Sequence, residues 1–482
     1  MKQAIVIIHG MGEQIPMQTL NTFVDAVWTT DTSLVNQSKP DPNTGAARSE
    51  NAFWAKPDNR NTSSELRRIT TERDDAGNYT DFYEYYWAHL MHGTTWEHVQ
   101  SWIMDLLLRN PLKRVPRRVF HAWVVLWIIA AVTVYFTLKG MLPSDGVPPT
   151  ATQAILSGIA GLIVASFVSN VLIKRFGDVA RYVKALPPNV DRRQEIRKNG
   201  VDLLQRLIKS GEYDRIVVVA HSLGTIVAYD ILSMLFAEHN ELETLSTIAK
   251  GAQPEREKLE DMIRDAAGLP LSTGADGSGR PMDVDAYQVQ QAKALAELRA
   301  QGGSWIISDF VTLGSPLTHA EFLMSESHAD LRKRQAHRLM PTCPPMPEHD
   351  GTTKLRHVSY DPDYTSKRTP AHPRQPHHAA LFAYTRWTNL YSDELLLLTG
   401  DLISGPVGQA FGADVDGTVV SGIRDIGVLP ALTKDGKKAD KHHRTFFSHN
   451  NYWNPKKGSD TDHPDVPHHI AELRRALAIL QP

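Results

Sequence analysis

Ser222 lies between two apolar segments, in the sequence RIVVVAHSLGTIVAYDIL of residues 215–232. The first segment is continuously apolar, which is typical of a strand buried on both faces, and the second has the spacing of a helix. Residues 220–224, Ala-His-Ser-Leu-Gly, follow the pattern Gly-x-Ser-x-Gly with alanine for the first glycine. Small residues in this pattern allow a sharp strand-to-helix turn that presents the serine hydroxyl. The pattern predicts a nucleophile at Ser222; the alternative is an ordinary buried turn that contains a serine.

A serine hydroxyl needs help to react at neutral pH, from an imidazole that accepts its proton and a carboxylate that orients the imidazole. The chain has 21 histidines, most of them in polar segments, and no His-Glu-x-x-His or Cys-x-x-Cys pair for a metal. It also lacks the glycine-rich loops that hold the phosphates of nucleotides. We therefore expect acid–base chemistry by side chains alone, without a metal or a cofactor.

The composition limits the class of protein. Of the 482 residues, 41% are apolar and 22% are charged, as in folded proteins. The formal net charge of −2 gives no basic excess for nucleic acid, and we expect none as a partner. The single cysteine, Cys343, excludes an intramolecular disulfide and favours a reducing compartment.

Short apolar strands alternate with helical segments, which predicts a mostly parallel sheet flanked by helices. Three of these strands end in turns with polar or small residues: AIVIIHG at 4–10, RIVVVAHS at 215–222 and FVTLGSP at 310–316. The carboxyl ends of parallel strands meet at one edge of a sheet, where ligands bind. We expect the site at that edge. Residues 36–64, rich in Asn, Pro, Ser and Thr, predict a long loop.

With these turns in this order, the chain resembles an α/β-hydrolase of the lipase and esterase type. VIIHGMGEQ (6–14) resembles the oxyanion turn of that family, and VVVAHSLGTIVAYD (217–230) resembles its nucleophile elbow. FVTLGSPL (310–317) resembles the strand that follows, and RWTNLYSDELLLLTGDLISGPVG (386–408) the strand and turn that carry the acid. The resemblance implies the α/β-hydrolase fold and a Ser-His-Asp triad in the chain order Ser, acid, His.

The resemblance implies Asp401 as the acid, because this residue follows the RWTNLY strand in a turn with small residues nearby. The run SDELLLL makes the spacing longer than usual, so Asp393 is a rival. Asp414 and Asp416 are weaker candidates. Any of these aspartates could instead be a solvated turn residue or a helix cap.

The resemblance implies His449 as the base, because it follows a short aromatic segment where the last strand of the fold should end. His442 and His443, just before that segment, are the reserves. The main-chain N–H groups of Leu223 and Met11 are the implied oxyanion hole.

Residues 119–138 and 151–173 are apolar and contain no formal charge. Each is long enough to cross a bilayer as a helix, and a polar link of residues 139–150 joins them. The flanks at 109–118 and 174–184 are basic, so the positive-inside rule puts both ends on the cytoplasmic side. We predict a transmembrane helical hairpin. The alternatives are a hydrophobic cap over the active site and a buried helical pair.

These observations divide the chain into a hydrolase domain of residues 1–108 and 185–482 and a hairpin insertion of residues 109–184. The insertion would hold the domain against the cytoplasmic face of a membrane, such as a bacterial inner membrane. We therefore expect a membrane-anchored serine hydrolase that cleaves carboxylic esters of lipids through an acyl-enzyme. Two alternatives remain: a soluble esterase whose apolar helices form a lid, and an inactive hydrolase-fold scaffold in the membrane. The sequence leaves the oligomeric state open.

Overall fold

A sheet of eight strands positions the site residues in the computed structural model of the protein. The strands are β1 (Lys2–Ile8), β2 (Phe53–Pro57), β3 (Arg67–Thr71), β4 (Tyr79–Tyr85), β5 (Arg215–His221), β6 (Ile307–Leu313), β7 (Arg386–Tyr391) and β8 (Arg424–Gly427). Their order is β8-β7-β6-β5-β1-β4-β3-β2. Neighbours from β8 to β4 pair in parallel, and β3 and β2 extend the β4 edge in antiparallel fashion.

The structure describes the chain in separate stretches. The described residues are 1–11, 15–34, 39–61, 65–91, 108, 120, 123–124, 127–128, 131, 135, 182–183, 187–242, 253–351, 353–360, 374–392, 401, 403–428, 448–453 and 467–481.

Helices flank the sheet. They are α1 (Gln18–Val24, continued by a π-helical turn at Asp25–Thr29), α2 (Pro187–Lys209), α3 (Leu223–Leu242), α4 (Pro254–Ala266), α5 (Val284–Ala300), α6 (Ala320–Leu323), α7 (His328–Ala336), α8 (Gly408–Phe411) and α9 (His468–Leu477). Short 3₁₀ turns lie at Ala88–Met91, Pro316–His319, Leu381–Ala383 and Ser448–Asn450. Among the described residues, three two-stranded pairs lie outside the main sheet: Glu348–His349 with Arg356–His357, Ser359–Tyr360 with Gln375–Pro376, and Ala413–Val415 with Thr418–Val420.

The core has two halves, one on each face of the sheet. In β1, Val6 and Ile8 belong to the half of the core that includes side chains of α2, α3 and α5, whereas Ile5 and Ile7 belong to the half that includes side chains of α1 and α9. Successive side chains of a strand point to opposite faces, so a strand covered on both faces is apolar without interruption. This explains the continuous apolar runs of β1 and β5. The prediction of a mostly parallel sheet flanked by helices is confirmed.

The prediction of a long loop over residues 36–64 is wrong in part, because Phe53–Pro57 forms the edge strand β2. All five residues of β2 are exposed, and the strand is held by main-chain pairing with β3. A strand with no buried face has no apolar alternation to reveal it in the sequence.

Within the described residues, no helix is both long enough and apolar enough to cross a membrane. Nearly all of the predicted hairpin, residues 109–184, lies outside the described residues. The hairpin and the domain boundaries beside it therefore stay predictions.

Candidate active site

Ser222 occupies the turn between β5 and α3 in a conformation that few non-glycine residues adopt. Its φ angle of 52° lies in the left-handed region. Hydrogen bonds hold the main chain of Ser222 at both its N–H and its oxygen: the N–H donates to the Leu313 oxygen at 3.0 Å, and the Thr225 hydroxyl donates to the Ser222 oxygen at 2.7 Å. A strained residue fixed by its surroundings is typical of functional sites, and here the strain directs the hydroxyl out of the turn.

Two glycines allow the elements around this turn to approach closely. A Cβ atom added at Gly224 would lie 2.3 Å from the main-chain oxygen of His9, and one added at Gly10 would lie 2.9 Å from the Ser222 Cβ. The start of α3 therefore packs directly on the end of β1, and the loop after β1 passes beside the serine. Larger residues at either glycine would separate the two loops.

His449 bridges Ser222 and Asp401. Its Nε2 atom lies 2.7 Å from the Ser222 Oγ, and its Nδ1 atom lies 2.9 Å from the Asp401 Oδ2. An ionised carboxylate only accepts hydrogen bonds, so Nδ1 carries the proton and Nε2 is free to accept the serine hydroxyl. This tautomer is the one that a general base needs.

Asp401 is buried but stays ionised. Burial by itself would raise the pKa of this carboxyl, but the neighbouring His449 and hydrogen bonds from His449 and Tyr452 lower it to about 2. The Ile403 N–H also donates to Oδ1, at 3.0 Å. The carboxylate therefore keeps its charge, and its orientation, at neutral pH.

Gly314, directly after β6, lies in close contact with His449 and Asp401. Its φ angle is +59°, and an added Cβ would lie 3.1 Å from the Asp401 Oδ2 and 3.2 Å from the His449 Nδ1. The same atom would lie 2.7 Å from the Tyr452 ring. The glycine of the sequence FVTLGSP thus provides the space in which these side chains meet.

The two residues predicted for the oxyanion hole lie on the two loops that meet at the serine. Leu223 is buried at the first position of α3, and Met11 follows Gly10, the residue beside Ser222. The N–H group of Leu223 belongs to the amino end of a helix, where negative charge is favoured.

His9 fixes the peptide that contributes the Met11 N–H. Its Nδ1–H donates to the Gly10 oxygen at 2.7 Å, and its Nε2 accepts the Trp87 N–H at 3.1 Å. The ring stacks on Trp87 at 5.1 Å, and burial lowers its pKa to about 4, so it is neutral. In a trans peptide the N–H points away from the oxygen, so holding the Gly10 oxygen also sets the direction of the Met11 N–H.

The structure leaves the alternative candidates outside this group or does not describe them. Asp414 lies 3.9 Å from Arg332, and Asp416 pairs with Arg356 at 2.6 Å. Asp393 and the reserve histidines, His442 and His443, lie outside the described residues. Ser222, His449 and Asp401 are therefore the predicted residues that the structure brings together.

Sequence reasoning missed two side chains that hold this group, His221 and Tyr452. His221 occupies the variable position before the serine, where the pattern accepts any residue. Tyr452 follows His449 by three residues, and its contact with Asp401 joins segments 51 residues apart. Neither contact has a signal in the sequence.

Comparisons with known proteins give no relative: the chain matches no protein-family model, no curated protein and no solved structure. Within the part of the chain that the structure describes, no group of three or more His, Cys, Asp or Glu side chains is arranged to hold a metal ion. The function of this chain is therefore inferred from the geometry around Ser222.

Proposed function

We propose that this protein is a serine hydrolase of the α/β-hydrolase type that cleaves carboxylic esters. One observation carries the proposal: the Ser222 Oγ lies 2.7 Å from the Nε2 atom of His449, whose other nitrogen is held by the buried carboxylate of Asp401. An isolated serine and histidine meet by chance in many proteins. The ordered tautomer, the left-handed conformation of Ser222 and the small residues around it together favour catalysis.

In the first half of the reaction, the Ser222 Oγ attacks the ester carbonyl carbon while His449 Nε2 takes the hydroxyl proton. The new bond joins Oγ to carbon, and the carbonyl electrons move to oxygen. When the tetrahedral intermediate collapses, the bond to the leaving alcohol breaks and His449 gives its proton to that alcohol. The product is an acyl-enzyme on Ser222 and a free alcohol.

In the second half, water takes the place of the alcohol. His449 accepts a proton from the water as its oxygen attacks the acyl carbon, and then returns a proton to Ser222 as the acid departs. The Leu223 and Met11 N–H groups would stabilise the negative oxygen in both intermediates. Removal of one such donor typically slows an enzyme about 100-fold to 1,000-fold.

We further propose that the substrate is a lipid ester and that residues 109–184 anchor the enzyme in a membrane as a helical hairpin. The described residues that precede this region in the sequence support the arrangement. The turn Ala88–Met91 follows β4 at the carboxyl edge of the sheet and packs on α2, and Trp87 just before it contacts His9. An anchor that leaves the domain at this edge would keep Ser222 close to the lipid surface.

Labelling with a fluorophosphonate tests the nucleophile and its activation together. The Ser222 Oγ would bond to phosphorus, fluoride would leave, and His449 would take the proton. We expect full-length protein in membranes to be labelled, with the modified peptide containing Ser222. The Ser222→Ala variant should lose the label, and Ser233→Ala, which removes another hydroxyl from α3 that donates to a helix carbonyl, should keep it.

A wild-type protein that resists the reagent would contradict the proposal and favour an inactive scaffold. Label that persists in Ser222→Ala would show that another residue reacts. Alkaline carbonate extraction tests the anchor separately. A protein anchored by a spanning hairpin stays in the membrane fraction, whereas a soluble esterase whose apolar helices form a lid is extracted.

A further inference from the structure

Tyr452 donates a hydrogen bond to the same carboxylate oxygen of Asp401 that accepts the hydrogen bond of His449. The Asp401 Oδ2 atom is 2.9 Å from the His449 Nδ1 and 2.8 Å from the Tyr452 hydroxyl. Tyr452 is completely buried, with 0% of its surface exposed. Two donors from the same six-residue stretch, 448–453, therefore converge on one atom of the acid.

The direction of each hydrogen bond around the phenol follows from its neighbours. The Ser392 N–H can only donate, and it lies 3.0 Å from the Tyr452 oxygen. The carboxylate of Asp401 can only accept, so the phenol proton points to it. The Ser404 hydroxyl, 2.9 Å from the phenol oxygen, is then a donor to Tyr452. The Tyr452 hydroxyl thus donates one hydrogen bond and accepts two, and these partners fix its orientation.

Among the described residues, the titratable groups at this cluster include Asp401, His449 and Tyr452 themselves and His221, whose ring centroid lies 6.1 Å from that of Tyr452. Burial, followed by the charge of Asp401, raises the pKa of the Tyr452 phenol well above its usual range, so it stays a donor. The neutral His221 adds no charge, because burial lowers its pKa to about 3.

We propose that Tyr452 is a positioning residue for the reaction, which orients the Asp401 carboxylate and weakens its hold on the protonated form of His449. This inference depends on the proposed function. A carboxylate with two strong donors presents less unsatisfied negative charge to either of them. When the phenol is absent, Asp401 should attract the imidazolium more strongly. The carboxylate also loses one of the hydrogen bonds that fix its orientation. The base would then keep its proton to a higher pH, which moves the acid limb of the rate profile. The less firmly oriented carboxylate would hold the imidazole less well in line with Ser222, which lowers the rate at the optimum.

The Tyr452→Phe variant of the full chain removes the hydroxyl and keeps the ring. We expect the rate of fluorophosphonate labelling, and kcat for a p-nitrophenyl ester, to fall about tenfold at the pH optimum with little change in KM. The acid limb of the rate profile should move up by about half a pH unit or more. Tyr287→Phe is the matched control, because its buried hydroxyl donates to the Phe382 main chain at 3.1 Å, outside the site. It should leave the profile unchanged.

The results separate this inference from the proposed function. If wild-type Ser222 is not labelled, the proposed function fails. If Ser222 is labelled but Tyr452→Phe has the wild-type rate and pH profile, only the role of Tyr452 is overturned. Should Tyr452→Phe fail to fold, Ser404→Ala makes the same test, because the phenol loses a donor and becomes a weaker donor itself. That variant should move the acid limb in the same direction by a smaller amount, and an unchanged profile would overturn the inference.

Discussion

The imidazole of His221 donates a hydrogen bond from Nε2 to the main-chain oxygen of His449 over 2.8 Å. A carbonyl oxygen only accepts, so the contact fixes the tautomer of His221. Burial lowers the pKa of His221 to about 3, so the ring stays neutral and keeps this single proton. The residue before the nucleophile therefore holds the main chain of the residue that serves as its base.

We expect His221→Phe to slow fluorophosphonate labelling of Ser222 about tenfold, because the buried oxygen of His449 loses its donor. An unpaired buried carbonyl costs about 1–3 kcal/mol, which the short turn at Ser448–Asn450 can avoid by moving away. His221→Gln keeps an N–H donor at about the same reach and should recover part of the rate.

Labelling rates of the two variants, measured on protein whose folding has been checked by circular dichroism, make the comparison. If only ring packing against Trp453 matters, His221→Phe should keep the wild-type rate and His221→Gln should be slower, which would contradict a role for the hydrogen bond.

Gly314→Ala should slow ester hydrolysis about 100-fold, with a smaller effect on folding. The added Cβ would enter the space between the Tyr452 ring and the Asp401 and His449 side chains, at 2.7 to 3.2 Å from them. Some of these groups must move, and a displacement of about 1 Å in a catalytic group can cost about 100-fold in rate.

Gly211→Ala is the matched control for this substitution. Gly211 has a similar φ angle of +64°, but nothing lies within 4 Å of the position of an added Cβ. Both variants bear the strain of a left-handed alanine, and only Gly314→Ala also crowds the site. Similar ester hydrolysis by the two variants would contradict the role given to Gly314.

The sequence reveals the elements that are buried on both faces. The runs of β1 and β5 are apolar without interruption because helices cover them on either side, and the small residues around Ser222 mark the place where a helix meets a strand. These are local consequences of packing, so a single sequence displays them. The prediction of Asp401 and His449 also depended on the resemblance to a family, because the sequence around them does not distinguish them from other aspartates and histidines.

The contacts that hold the site are not visible in the sequence. The bonds from His221 to His449 and from Tyr452 to Asp401 join segments 228 and 51 residues apart. The residues that flank His221 and Tyr452 in the sequence give no sign of these distant partners. Strand β2 could not be predicted from the sequence either, because its main-chain pairing with β3 leaves no pattern in its side chains.

Glu84, on β4, gives a prediction about the pH dependence of stability. Its side chain is buried, and its Oε2 accepts the Met17 N–H at 2.7 Å, at the residue before α1. Burial raises the pKa of this carboxyl to about 7, and the hydrogen bond from Met17 only partly opposes the rise. The folded protein therefore binds this proton more tightly than the unfolded chain, whose glutamate has an ordinary pKa of 4.5.

The sign of the effect follows from linkage. Between about pH 4.5 and about pH 7 the folded state carries more protons than the unfolded state, so the free energy of unfolding falls as the pH rises. The stability that a neutral Glu84 gives is complete below about pH 4.5 and is lost as the pH passes about 7. Glu84→Gln cannot ionise but still offers an oxygen to Met17. At about pH 8 it should exceed the wild type in free energy of unfolding by up to about 3 kcal/mol, whereas at about pH 4 the two should nearly agree.

Denaturant unfolding of both proteins at the two pH values measures the difference. His9 and His221, whose pKa values burial lowers, also make stability depend on pH, but they are present in both proteins and cancel in the comparison. Glu195→Gln is the control, because this carboxyl is half-exposed on α2 and pairs with Arg192 at the surface. It should change stability by less than about 1 kcal/mol at either pH. If the wild type instead gains on Glu84→Gln as the pH rises, Glu84 is ionised in the folded protein and the start of α1 is held by a charge.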